Sequence, residues 1–196
     1  MENYKVILKF EPKVEILSPD NEFLIENFDS GVFAFNEYIK SEAKEDMKNG
    51  DGVVYLVINK ANNELVSYYS LSASTIHIKD EFDFDEDSGV PKEERREHYS
   101  PISSFLINMF AVNEKYQDTF FEGNLVASLI LKNIINILYK TSITLIGGKR
   151  IILCAVNDAV KFYEKNNFSV FDSEYTMFDK RDALDNTPMY LSLHEI

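Results

Sequence analysis

The side chains able to do chemistry are spread unevenly along the 196 residues. Asp83-Phe84-Asp85-Glu86-Asp87-Ser88, with Glu94 at the twelfth position, repeats the alternating carboxylate spacing of a calcium loop, where oxygen ligands wrap a hard cation. Ser88 stands where that turn demands glycine and no helix precedes it, so a solvated flap is the expected state. His77, His98 and His194 are too scattered to define a metal centre, and Cys154, the sole cysteine, offers no sulfur cluster and no internal disulfide, so no metal site is expected. Ser103-Ser104 lacks the elbow and partners of a hydrolase nucleophile. Gly147-Gly148-Lys149-Arg150 leads into a strand rather than a helix bearing Ser or Thr, so it is no phosphate loop. What remains is a pair of regions in the second half: Ala111-Val112 with the helix that follows, and Asn157 through Phe168, which includes Phe162-Tyr163-Glu164-Lys165.

These residues must be positioned by a folded domain, and the composition supports one. The chain is 45% hydrophobic and 27% charged, and at such a length roughly 70% of the unfolded surface is buried without metal or disulfide staples. Lys and Arg number 20 against 33 Asp and Glu, a formal net charge of −13 that repels polyanions at long range. Nucleic acid is therefore an unlikely partner on charge alone. Residues 1–98 carry 22 acids and 11 bases, whereas 99–196 carry 11 and 9, so an anionic ligand is expected on the second half. Lys5 and Lys9 interrupt the N-terminal apolar run, and no stretch of about 18 apolar residues occurs. A soluble cytoplasmic protein with no membrane association is the expectation, and a homodimer is compatible with it.

Val32, Phe33, Phe35, Ile39 and Ala43, with Asp29 or Ser30 as N-cap, predict an amphipathic helix over 28–49, broken by Gly50-Asp51-Gly52. Val53 to Ile58 and Leu65 to Leu71 flank a polar turn and predict an antiparallel hairpin. The carboxylate-rich stretch from about 79 to 101 cannot bury itself and reads as an acidic loop inserted in a single domain, 1–196. Phe105 to Val112, nearly all apolar, predicts a central strand covered on both faces. The spacing of Leu125, Val126, Leu129, Ile130, Ile134, Ile137 and Leu138 predicts a helix over 125–140, with Asn124 as N-cap. A strand from Arg150 to Val156, a short helix from Asp158 to Asn166, a strand at Phe168 to Phe171 and a final strand at Met189 to Leu193 complete the series.

At Ala111-Val112-Asn113-Glu114-Lys115-Tyr116-Gln117, at the helix Ser128-Leu129-Ile130-Leu131-Lys132, and at Asn157 through Phe168, the sequence resembles the GNAT family of N-acetyltransferases. The resemblance runs from about Phe28 to the last strand. It implies an α/β fold of the α+β kind, with a mixed, mainly antiparallel central sheet flanked by helices. It further implies acetyl-CoA as cosubstrate, lying where the strand before the long helix splays from its neighbour. Met109, Phe110, Ala111 and Val112 would offer that edge, with a backbone N–H near Val112 facing the oxyanion. Gly123, Asn124, Leu125, Val126 and Ala127 would offer amides to the pyrophosphate at the helix N-terminus. Tyr163 would protonate the departing thiolate, a general-acid role that suits a phenol of pKa near 10. Asn157 would bond the cofactor or fix the strand end, although a helix N-cap is an equal reading of it.

The chain departs from the family between Gln117 and Ala127. With Ala127 aligned to the final small residue of the phosphate loop, about five residues are inserted, Leu125 replaces the first glycine, and Glu122 stands where Gln or Arg is usual. Phe28-Asp29-Ser30-Gly31-Val32, Tyr68-Tyr69-Ser70-Leu71 and Met189 to Leu193 are similar to the branch of toxins that acetylate aminoacyl-tRNA. Three functions therefore stand open: acetyl transfer to a cationic or small primary amine, toxin-like acetylation of charged tRNA, and a catalytically silent binding module whose phosphate loop is degenerate.

Overall fold

In a computed structural model, which describes residues 5–79, 99–171, 175–177 and 186–194, the β-rich runs pair into one large sheet. Its strands are β2 (Pro12–Ile16), β3 (Val53–Asn59), β4 (Glu64–Lys79), β5 (Tyr99–Val112), β8 (Arg150–Ala155), β9 (Ser169–Val170), β10 (Tyr175–Met177) and β11 (Thr187–Ser192). Their order is β2-β3-β4-β5-β8-β11-β9, with β10 alongside the far end of β4. Every pair is antiparallel except β5 with β8. A small second sheet joins β1 (Lys5–Val6), β6 (Thr119–Phe121) and β7 (Asn124–Leu125). The mixed, mainly antiparallel sheet expected from the resemblance is thus the observed one.

Both faces of the large sheet are covered. On one, α1 (Phe33–Glu37), a π-helical turn (Tyr38–Glu42) and α2 (Ala43–Asn49) run end to end and bury Tyr38, Ile39 and Ala43 against Leu56, Ile58 and Tyr68. On the other, α3 (Val126–Thr144) buries Val126, Ile130, Leu131, Ile134 and Leu138 against Val66, Tyr69, Ile107 and Ile151. Each such aliphatic side chain gains about 1.5–3 kcal/mol from leaving water, which outweighs the middling helix propensity of the isoleucines. The short α4 (Val160–Lys165) lies on this same side, with Tyr163 in the core. No described helix is long and apolar enough to cross a membrane.

β5 carries one extra residue. Ser70 pairs with Met109 and Leu71 with Ile107, so Asn108 is bulged out. Side chains alternate along a strand, and one inserted residue inverts the alternation beyond it. Phe105 and Ile107 face α3 before the bulge, whereas Phe110 and Val112 do so after it and Met109 and Ala111 turn to the other face. This is how eight nearly unbroken apolar positions fill two cores.

Several local expectations need correction. The first long helix starts at Phe33, not at 28, and Phe33 is 78% exposed. Asp29 and Ser30 do not cap it. Asp29 accepts from Gly31 N–H and Asn36 Nδ2, and Ser30 donates to Asn36 Oδ1, so both are spent in the preceding loop. Asn124 does not cap α3 either: it belongs to β7 and donates to Glu122 O, while Leu125 holds the cap position with no side-chain bond. The loop expected over 79–101 is shorter at both ends, because Lys79 pairs with Tyr99, Ile78 with Ser100 and His77 with Pro101. The calcium-like spacing at Asp83 to Glu94 and His98 fall outside the described residues.

Candidate functional site

The central opening arises between β5 and β8. The two strands pair only at Ser104 with Arg150, Phe105 with Ile151 and Leu106 with Ile152. Beyond those residues β5 continues to Val112 and β8 to Ala155 without pairing, so the strands part into a wedge. On its other side β5 remains bonded to β4, and Asn113 N–H donates to Val66 O. Bonding alternates along an antiparallel ladder, so Ala111 is spent on β4 while Phe110 and Val112 turn their N–H and C=O groups toward the wedge. The Val112 carbonyl is already taken by Gln117 Nε2 at 2.8 Å. Of the sequence candidates Met109 to Val112, all on β5 beyond its last pairing with β8, Phe110 and Val112 face the opening whereas Met109 and Ala111 bond β4.

Across the opening, Phe162 of α4 stacks on Phe110 with ring centroids 6.3 Å apart. Tyr163 follows in chain, 7% exposed, packed edge-on against Phe162 and Phe168 at 5.2 and 5.6 Å. Its hydroxyl makes no hydrogen bond to a described residue, and burial alone holds the phenol well above its ordinary pKa. A phenol so placed stays protonated at physiological pH. Asn157 is exposed at the end of β8, opening a 3-10 turn (Asn157–Ala159) for which Val156 is the cap position and makes no side-chain cap bond. It is not the N-cap.

The N-terminus of α3 is built differently from a glycine-rich loop. β6 and β7 form a hairpin whose turn residues Glu122 and Gly123 both take positive φ, 49° and 77°. β6 adds in parallel to β1, so Gly123, Asn124 and Leu125 lie in this hairpin and the helical amides begin at Val126 and Ala127. Gln117, the last residue before the inserted stretch, directs its amide to Ser30 O and Val112 O at 2.9 and 2.8 Å rather than outward. Asp118 and Glu122 are exposed beside the hairpin. Lys132 and Lys165 line a groove of about 520 Å³ between α3 and the end of α4. Asn166 ties its near end together, donating to Ser128 Oγ at 3.2 Å and Phe162 O at 2.8 Å.

The turn after β5 is braced from outside. Tyr116 donates to Glu64 at 2.8 Å and accepts from Asn62, and Lys115 bonds Glu64 at 2.9 Å. The Lys115 ammonium, with Tyr116 next, holds the Glu64 carboxyl below its usual range. Sequence reading missed this brace, the hairpin at the helix start and the bulge at Asn108. Only the Glu122-Gly123 pair, a two-residue turn with glycine second, signalled a hairpin. No group of His, Cys, Asp and Glu able to hold a metal occurs among the described residues.

A strand splayed from its parallel neighbour, with a long helix entering beside it, defines the GNAT type of fold, and this chain has that fold. The solved structures it matches include bacterial toxins. A tyrosine-to-phenylalanine mutant of the toxin AtaT superposes with a TM-score of 0.69 at 16% identity, over 98% of this chain and 96% of that one. The AtaTR assembly bound with acetyl-CoA gives 0.66 at 16%, over 94% and 95%. AtaT complexed with acetyl-methionyl-tRNAfMet gives 0.63 at 17%, over 94% and 96%. No protein-family model matches the sequence, and no curated protein does.

Proposed function

We propose that this chain is an acetyl-CoA-dependent N-acetyltransferase that acts on a primary amine. The observation that carries the reading is the open β5–β8 wedge with a protonated, buried tyrosine on its α4 side. The acyl-pantetheine arm would pair with the free backbone groups of Phe110, since the Val112 carbonyl is held by Gln117. The amides of Val126 and Ala127 would meet the pyrophosphate, helped by Lys132 and Lys165 in the adjoining groove. A neutral amine attacks the thioester carbon and its surplus proton leaves to solvent. The oxyanion is held by a β5 N–H near Val112, the C–S bond breaks, and Tyr163 gives its proton to the thiolate. Similarity to an acetyl-CoA-bound toxin supports the cosubstrate.

For the acceptor, two readings have separate support. The net charge of −13 favours a cationic small amine. The likeness to AtaT in complex with acetyl-methionyl-tRNAfMet favours a charged tRNA, so net charge by itself does not remove nucleic acid from consideration. The hairpin in place of a glycine-rich loop supports a silent module instead. Calorimetric titration with acetyl-CoA, followed by labelled acetyl transfer to an amine panel and to charged tRNA, separates the three. Binding in the micromolar range with transfer upholds the enzyme, and the labelled product names the acceptor class. Absence of binding leaves the silent module.

A further inference from the structure

A cavity of about 520 Å³ opens on the face of the large sheet opposite α3, where a 3-10 turn (Glu22–Ile25), the β3–β4 turn and the turn after β5 meet. Its size lies within the about 300–1,000 Å³ of small-molecule sites. Asn113 lines it and is 7% exposed. Its backbone is tied at both ends, N–H donating to Val66 O and C=O accepting from Tyr116 N–H, each at 2.8 Å. Its side-chain Oδ1 accepts from Lys115 N–H at 3.1 Å, which fixes the other end of the carboxamide as nitrogen. That Nδ2 has no hydrogen-bond partner among the described residues. Among them the unpartnered side-chain polar atom sealed from solvent is the Tyr38 hydroxyl, so Asn113 Nδ2 is open to the cavity. Polar groups this deep in a fold are rarely left without a partner. On the same wall Lys115 donates to Glu64 Oε1 at 2.9 Å and keeps two ammonium hydrogens, while Glu64 Oε2 is spent on Tyr116 and Asn62. Asn27 and Asn63 add two carboxamides with no side-chain partner among the described residues, and Phe23 stands at the rim, 56% exposed.

We infer that this cavity is a binding site for a nucleoside whose base is a 6-oxopurine. The wall offers spare donors, from Asn113 and Lys115, yet it also holds the Glu64 carboxylate. A fully charged anion would be repelled by that carboxylate, whereas a neutral ligand bearing acceptors matches the donors without the penalty. The O6 and N7 atoms of a 6-oxopurine are two acceptors side by side, the edge that lysine most often reads in nucleic acids and that a second donor can share. Phe23 supplies an exposed ring on which a base can stack. The site lies on the other face of the sheet from α3, and the inference does not rest on the acetyl-transfer reading.

The test is calorimetric titration of the full-length protein with guanosine, inosine, adenosine and 7-deazaguanosine, with glucose and inorganic phosphate as controls. Guanosine and inosine should bind saturably with Kd below about 1 mM. Adenosine carries an amino group in place of O6 and 7-deazaguanosine lacks N7. Both should bind at least about tenfold more weakly, since a site built to hydrogen-bond a group disfavours ligands lacking it. Phe23→Ala should weaken guanosine about tenfold through lost stacking. Asn113→Asp keeps the acceptor for Lys115 N–H but turns the free donor into an acceptor, and should also cost at least about tenfold. Should Asn113→Asp fail to fold, judged by a urea melt, Lys115→Ala removes the second donor from an exposed ion pair of little structural worth and should weaken guanosine about tenfold. Acetyl-CoA in excess should leave guanosine binding unchanged, and competition between them would place the base elsewhere and overturn the site. The inference also falls if guanosine gives no saturable heat, if adenosine, phosphate or glucose binds as tightly, or if the folded variants bind guanosine like the wild-type protein.

Discussion

Replacing Tyr163 by phenylalanine removes one oxygen and keeps the edge-on packing against Phe162 and Phe168. The hydroxyl has no hydrogen-bond partner among the described residues, so its loss leaves no donor or acceptor stranded. Stability should change by less than about 0.5 kcal/mol. If the phenol protonates the departing thiolate, kcat should fall about 100- to 1,000-fold, equivalent to ~3–4 kcal/mol of barrier. Acetyl-CoA affinity should hold, because the proton matters only as charge develops on sulfur. The pH dependence follows from burial, which raises the phenol above its usual value with no charge or hydrogen bond opposing it. A raised acid stays protonated through pH 10, so any alkaline limb of the rate profile must come from another group. The assay is steady-state CoA release from pH 6 to 10.5 for both proteins, beside urea melts and calorimetry. Wild-type turnover in Tyr163→Phe would refute the assignment, as would an alkaline limb near pH 9 that the substitution removes.

Three further outcomes follow from the packing. Burial raises Tyr38 to about 12, and Tyr68, Tyr69 and Tyr163 higher still. Each contributes stability that is intact below the unfolded value near 10 and is lost above it, by at most about 1.4 kcal/mol per pH unit per group; urea midpoints should be flat to pH 9.5 and fall steeply by pH 11, and a flat profile to 11.5 contradicts this. Gly148→Ala would place a Cβ 2.3 Å from a Phe105 ring carbon, whereas at Gly147 nothing lies within 4 Å; the first should destabilise by about 2–3 kcal/mol and the second by well under 1 in paired denaturation curves. Lys132→Ala with Lys165→Ala should weaken acetyl-CoA binding about tenfold at low salt, with the gap closing by 0.5 M salt as screening sets in; equal affinities at low salt would remove these lysines from the phosphate end.

The elements that position the wedge were legible because each carries a period. The three- and four-residue spacing of Val126, Ile130, Ile134 and Leu138 gave α3, and the apolar run at Ile151 to Ala155 gave β8. What escaped had no period to read. The β4–β5 pair runs as far as Lys79 and Tyr99 although Ser70, Ser72 and Ser74 take the places of apolar residues on one face, since sheet bonding is backbone chemistry and tolerates them. The hairpin β6–β7 and the strand β1 that joins it are two or three residues long, too short for any pattern. At the first helix, Asp29 and Ser30 looked like caps, yet Asn36 binds both from within the helix and moves the start to Phe33. Tyr163 was named by its neighbours in sequence; its isolation from hydrogen bonds is a property of the packed core.

The bulge at Asn108 ties these observations together. A strand that carries an extra residue bends and twists more sharply, which draws β5 away from β8 just past Leu106. The same insertion inverts the side-chain alternation, sending Phe110 to the α4 side, where it stacks on Phe162, and Ala111 to the side of Tyr68. One residue thus both opens the wedge and furnishes its wall. Deleting Asn108 should therefore do more than remove a polar group. It would turn Val112 and Phe110 toward the face that now takes Ala111, misfitting two cores at once, at a cost of about 3 kcal/mol or more. Asn108→Ala keeps the register and should cost about 1 kcal/mol, the two weak exposed bonds being replaced by water. Equal stabilities for the deletion and the substitution would show that the parity of β5 is not set at this residue, and the account of how the wedge opens would fall with it.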